Sequence, residues 1–135
     1  MSVEPFRELD ITKYLGRPHN YGSFDCIKLI ELVYAELGLE FSSPTYSFSR
    51  RWMREITTEA IDTWAAKYAK KVLLTEAKSY DVMVFTGRNK NPSHFGLFMA
   101  PSKLLHVEQS SVCRIDNLPY HETLYAVYRH KSRLV

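Results

Sequence analysis

Cys26 opens the argument because its type and surroundings suit a nucleophile. Gly16, Pro18, Asn20, Gly22 and Ser23 are turn formers, so the chain reaches it irregularly. From Cys26 onward, Leu29, Ile30, Val33 and Leu37 recur at intervals of three and four. That spacing is one face of an amphipathic helix, with Cys26 in its first turn. Asp25 is the natural N-cap, its carboxylate accepting from the amides that follow. The same amides and the positive end of the helix dipole favour a thiolate over a thiol. The competing reading of a helix-start cysteine is a small buried apolar residue.

A thiol nucleophile needs a base, and two histidines later in the chain are spaced to supply one. In the strand expected from His94 to Met99, His94, Gly96 and Phe98 share a face. In the strand expected from Leu104 to Gln109, Leu104, His106 and Glu108 share a face. A hairpin over the Pro101-Ser102 turn with an even register sum puts His94 and His106 side by side; an odd sum separates them. Gly96, lacking a side chain, suits a close approach by the Cys26 helix end. Together these give a thiol, an imidazole to take its proton and return one to a leaving amine, and a third group to hold the imidazole. The Cys26 amide would be one oxyanion donor.

The elements that must position these groups follow from the pattern. Phe6 to Leu15 suggests a short helix ending at Gly16, and the Cys26 helix stops at Gly38. Phe41 to Phe48 reads as an aromatic-bearing loop. Ser49 to Val72 reads as helix, broken near Thr57-Thr58, with Ile61, Trp64, Ala65, Tyr68 and Val72 on one stripe. Beyond Ala77 the period becomes two: Asp81–Thr86, His94–Met99, Leu104–Gln109, Val112–Ile115 and Leu124–Tyr128 make about five strands with short loops. Helices first and strands second imply an α+β fold with an antiparallel sheet and one domain over residues 1–135.

Composition narrows the class. Hydrophobic residues make up 45% and charged residues 24% of the 135, as in globular proteins. The net charge of +3 is too small to argue for nucleic acid, and the tail Arg129, Lys131 and Arg133 reads as a solvated terminus. No apolar run reaches spanning length, and Met1-Ser2-Val3-Glu4-Pro5 is not a secretory signal, so synthesis in a cytoplasm is expected. Cys26 and Cys113 read as reduced thiols, since two cysteines make no disulfide scaffold.

These residues also carry a family resemblance. Phe24-Asp25-Cys26 at a helix start, Tyr80-Asp81-Val82-Met83-Val84-Phe85, His94-Phe95-Gly96-Leu97-Phe98 and Leu105-His106-Val107 resemble the NlpC family of papain-like cell-wall cysteine peptidases. The resemblance implies a papain-like fold, Cys26 as nucleophile, His94 as base and His106 as third polar residue, with no cofactor. The implied substrate is the peptide stem of bacterial peptidoglycan, at the bond between D-γ-glutamate and diaminopimelate. Leu15-Gly16-Arg17-Pro18 and Leu37-Gly38-Leu39-Glu40-Phe41 resemble the branch found in phage tail tips, which implies other tail proteins as partners and a place in the virion tail.

The sequence departs from the family pattern at three places. Ile27-Lys28 replace a small pair, though Lys28 points roughly 200° around the helix from Cys26. His19 falls where a tyrosine ordinarily assists the oxyanion hole, so His19 or the neighbouring Tyr21 is the candidate for that role, beside Asp25. Tyr80 replaces a glycine. Two further readings stay open: a tail component that keeps the fold without catalysis, and a zinc site from Cys26, His94, His106 and His19, which lacks close-spaced ligand pairs. Cys113, His121, His130, Trp52 and Trp64 receive no functional role, and Glu108 reads as a surface carboxylate.

Overall fold

The computed structural model describes residues 9–21, 23–41, 57–88 and 90–134. Helices α1 (Cys26–Leu37) and α2 (Thr58–Ala65) precede six strands: β1 (Ala69–Val72), β2 (Val82–Thr86), β3 (Pro92–Met99), β4 (Lys103–Val107), β5 (Cys113–Asn117) and β6 (Thr123–His130). They form one antiparallel sheet in the order β1-β6-β2-β3-β4-β5. The class is the expected α+β, with six strands rather than five. Gly22, most of the expected loop from Phe41 to Phe48, and the helix start from Ser49 with Trp52 lie outside the described residues.

The ends of α1 are set by local chemistry. Asp25 Oδ1 accepts from the amides of Ile27 at 3.1 Å and Lys28 at 2.8 Å. At the other end Gly38 takes φ +73°, and Leu39 N–H donates to Tyr34 O at 3.0 Å while Gly38 N–H donates to Ala35 O. This is a Schellman stop, which a glycine adopts without a Cβ penalty. Ile27, Leu29, Ile30 and Val33 are buried against Val84, Phe95, Leu97, Leu105 and Val107 on one face of the sheet. Tyr34 Oη donates to Tyr80 O at 2.7 Å and fixes the helix lengthwise.

Two expectations fail at element ends. The helix read through to Val72 stops at Ala65, and Ala69–Val72 instead pair with β6, from Ala69 opposite His130 to Val72 opposite Val127. Those pairings satisfy the backbone groups of β6, a tertiary demand that helical periodicity cannot display. The first helix reduces, among the described residues, to a 3-10 turn at Ile11–Lys13 capped by Asp10.

Two cations of the expected solvated tail, Arg129 and Arg133, are buried, while Lys131 is exposed. Asp81, fully buried, receives Arg129 Nη2 at 2.8 Å and the Lys78 amide at 2.9 Å. Arg129 donates further to Glu76 O at 2.6 Å, and Arg133, 1% exposed, donates to Ser79 O at 2.5 Å. His130 Nε2 donates to Glu40 O at 2.6 Å while its Nδ1 accepts from Ser132 N–H. The C-terminal residues thus lock the strap before β2 to the sheet.

Gly96 has a different reason from the expected one. A Cβ there would lie 2.5 Å from Leu104 Cδ1, 3.1 Å from Leu105 O and 3.2 Å from His106 Cβ. The close neighbour is β4, not the Cys26 helix. Gly96→Ala is expected to destabilise by about 1–3 kcal/mol, because Leu104 is itself buried and has nowhere to yield. Urea unfolding measures this; an unchanged midpoint would mean β4 relaxes freely.

Candidate active site

Cys26 heads α1 and is 7% exposed. Burial pushes its thiol up to about 12, and Asp25 adds to the shift; the amides of Phe95, Cys26 and Ile27 act in the opposite sense. The expected helix-start preference for thiolate is therefore present but outweighed, because desolvation penalises the charge more than three amides favour it. The Phe95 amide belongs to the residue after His94, so the sulfur lies against the middle of β3.

The β3–β4 register, Leu97 opposite Leu105, sums to an even number. His94 and His106 accordingly share a face, with Nε2 of His94 and Nδ1 of His106 at 2.7 Å. The face is the one carrying Met83, Phe85, Phe98 and Leu104, opposite the face against α1. Burial, reinforced by His106, pushes His94 down to about 3. Among the described residues no hydrogen bond joins Cys26 to His94, and His94 Nδ1 has no hydrogen-bond partner. Burial therefore favours a neutral thiol at Cys26 and a neutral imidazole at His94.

This has a measurable consequence. With Cys26 at about 12 and Cys113 raised by burial to about 11, each is almost wholly thiol at pH 8. Iodoacetamide is expected to modify Cys26 no faster than Cys113, at a rate climbing as pH rises through 9 and 10. Fast Cys26 alkylation at pH 6–7 that His94→Ala removes would instead reveal an ion pair.

A set of residues that sequence reasoning passed over surrounds the histidines. His106 Nε2 lies 2.7 Å from Asp116 Oδ2, and Arg114 Nε donates to the same oxygen at 2.8 Å. Arg114 also pairs with Glu108 and donates to Ser111 Oγ at 2.8 Å, while Tyr120 Oη donates to Glu108. The Tyr120 ring stacks on His94 at 5.0 Å and meets His106 edge-on at 5.5 Å. Glu108 is thus no free surface carboxylate. Burial would raise it, yet hydrogen bonds from Tyr120 and Arg114 carry it down to about 2. The β4–β5 register brings these residues together, with His106 opposite Arg114 and Leu104 opposite Asp116. That puts both charged residues on the histidine face, but only if the strand runs past Ile115.

The supporting candidates sit at the mouth of α1. His19 packs edge-on against Tyr21 at 4.5 Å; burial lowers its pKa, against an opposing influence from Asp25. Tyr21 Oη donates to Gln109 Oε1 at 3.0 Å, and His19 N–H donates to Ser111 O, joining this loop to the β4–β5 turn. Lys28 pairs with Glu31 at 2.9 Å. Asp25 caps α1 through Oδ1. Among the described residues no group of three or more His, Cys, Asp or Glu is arranged to hold a metal ion.

A cysteine-headed helix on an antiparallel sheet, with a hydrogen-bonded histidine pair on β3 and β4, defines an α+β protein. The chain belongs to the NlpC/P60 family, whose model matches residues 16–131. It is similar in fold to RipD of Mycobacterium tuberculosis, at 15% identity and TM-score 0.57 over 86% of this chain and 87% of that one. RipD is described as a non-catalytic NlpC/p60 domain protein adapted to peptidoglycan binding. It is similar as well to a lipoprotein-like NLP/P60 family protein of Staphylococcus aureus, at 20% identity and TM-score 0.58 over 87% of this chain. The match covers 37% of that longer protein. No curated protein sequence matches the chain.

Proposed function

We propose that the protein is a cysteine endopeptidase that cleaves peptide stems of bacterial peptidoglycan, at a bond of the D-γ-glutamyl–diaminopimelate type. Cys26 is the nucleophile, His94 the base and His106 the residue that orients it. The observation that carries the reading is the 2.7 Å His94–His106 pair on β3 and β4, next to the Phe95 amide that faces the Cys26 sulfur, in a chain of this family.

The neutral resting pair dictates how the reaction would run. As sulfur attacks the carbonyl carbon, its proton passes to His94 Nδ1, so thiolate and imidazolium arise together in the transition state. Hydrogen-bond distances at such sites commonly tighten only when substrate is bound. The Asp25 cap uses the amides of Ile27 and Lys28 and leaves that of Cys26 for the carbonyl oxygen. His94 then gives its proton to the leaving amine. Water, deprotonated by His94, opens the thioester and regenerates the thiol.

The segments Leu15-Gly16-Arg17-Pro18 and Leu37-Gly38-Leu39-Glu40-Phe41 support a place in a phage tail tip, with other tail proteins as partners. A second reading has its own observation: Cys26 is buried, and that burial pushes its thiol up, which suits a domain that binds the stem without cutting it. Incubation with purified sacculi separates the two. Peptidase action releases shortened stem peptides detectable by mass spectrometry. Co-sedimentation with sacculi and no new peptides would overturn it in favour of binding.

A further inference from the structure

We propose that Asp116 is a positioning residue: through His106 it fixes the protonation site of His94, so that His94 keeps a bare Nδ1. Its catalytic consequence rests on the reading of His94 as base, but the proton placement does not.

The argument is one of donors and acceptors. Arg114 is always charged and donates to Asp116 Oδ2 at 2.8 Å. Burial would raise Asp116, but hydrogen bonds from His106 and Arg114 outweigh it and keep the carboxyl ionised. An ionised carboxylate only accepts. His106 Nε2, 2.7 Å away, must therefore be its protonated nitrogen. His106 is fully buried, and burial opposes a charge on it. In neutral His106 the Nδ1 is then an acceptor, so His94 Nε2, at 2.7 Å, must be the donor. Both ring protons are then assigned, to His106 Nε2 and His94 Nε2, and one nitrogen remains bare: His94 Nδ1, the nitrogen a base needs.

The surroundings hold this order in place. Arg114 ties Asp116 to Glu108, Glu108 accepts from Tyr120, and the Tyr120 ring stacks on His94. The circuit returns to the imidazole it began with. His106 has both ring nitrogens bonded, so flipping it would break two hydrogen bonds, and flipping His94 would break the one it makes to His106. Asp116 itself is 40% exposed on its side chain, so it reports to solvent while the two rings it orders are buried.

The test reads protons rather than turnover. Long-range proton–nitrogen correlation of the imidazoles in the wild type at pH 7.5 is expected to show Nε2–H forms of both His94 and His106. Asp116→Ala should leave His106 Nε2 without its acceptor and shift or mix both tautomers. Asp116→Asn, which can donate as well as accept, should populate the opposite order, with the proton on His94 Nδ1. A wild-type His94 protonated at Nδ1, or tautomers unchanged in both variants, would overturn the proposal. Intact tautomers in a protein that releases no stem peptides would leave the proposal standing and sink only the peptidase reading. If hydrolysis is observed, Asp116→Asn should lower kcat even after correction for the folded fraction read from its melting curve, whereas a loss of folding alone would vanish on that correction.

Discussion

Conversion of Cys26 to alanine is expected to abolish stem-peptide hydrolysis while the protein still melts as a folded unit. Removing the nucleophile of a covalent mechanism costs roughly 10⁴-fold or more in rate, since what remains is binding and oxyanion stabilisation. The structural cost is small, on the order of 1 kcal/mol, because only one sulfur leaves a mixed cluster. His94→Ala should do comparable damage to activity for a different reason. The Cys26 thiol sits at about 12, so without a base to take its proton during attack almost no thiolate is available near neutrality. That variant also strips His106 Nδ1 of its partner at a cost of about 1–3 kcal/mol, so its melting curve must accompany its rate. Peptide release from sacculi, quantified against wild type, measures both. Activity surviving in Cys26→Ala would remove this cysteine from the chemistry.

The second large effect concerns stability. Asp81→Ala is expected to cost about 3–5 kcal/mol, because it leaves the buried Arg129 and Arg133 without the carboxylate between them. For a chain of this size that corresponds to a fall of roughly 10–20 °C in Tm. Circular dichroism melts measure it. The cost comes mainly from stranding the guanidinium groups, not from the intrinsic worth of the pair. Asp81→Ala combined with Arg129→Leu should accordingly recover part of the loss. A fall of less than about 3 °C in the single variant would mean that water replaces the carboxylate and the cluster stabilises little.

The two effects act at different distances from the site. Asp81 lies at the head of β2, which pairs with β3 from Val82 opposite Leu97 to Phe85 opposite His94. Loosening the C-terminal clasp therefore loosens the strand that carries His94. Partial loss of activity in Asp81→Ala is expected to track the unfolded fraction, unlike the loss in His94→Ala.

Local features of the sequence were enough for much of this. The Asp25 cap, the face led by Cys26 and the stop at Gly38 are each decided within one or two helical turns, and α1 forms as its sequence implies. Strand alternation put His94 and His106 side by side for an even register only, and the β3–β4 pairing supplies that register, with Leu97 opposite Leu105. Where long-range contacts compete with local pattern, the sequence misled. Ala69–Val72 carry a helical stripe yet complete the sheet edge, because β6 offers backbone partners that a window of residues does not contain. Arg129 and Arg133 look like a solvated tail until Asp81, 48 positions before Arg129, draws them inward. Asp116 was invisible as a partner of His106 because that contact depends on the β4–β5 register. The protonation of Cys26 was misjudged for the same kind of reason. Helix-start amides are local and legible, but the burial that outweighs them is a property of everything packed around the sulfur, which only the tertiary structure decides.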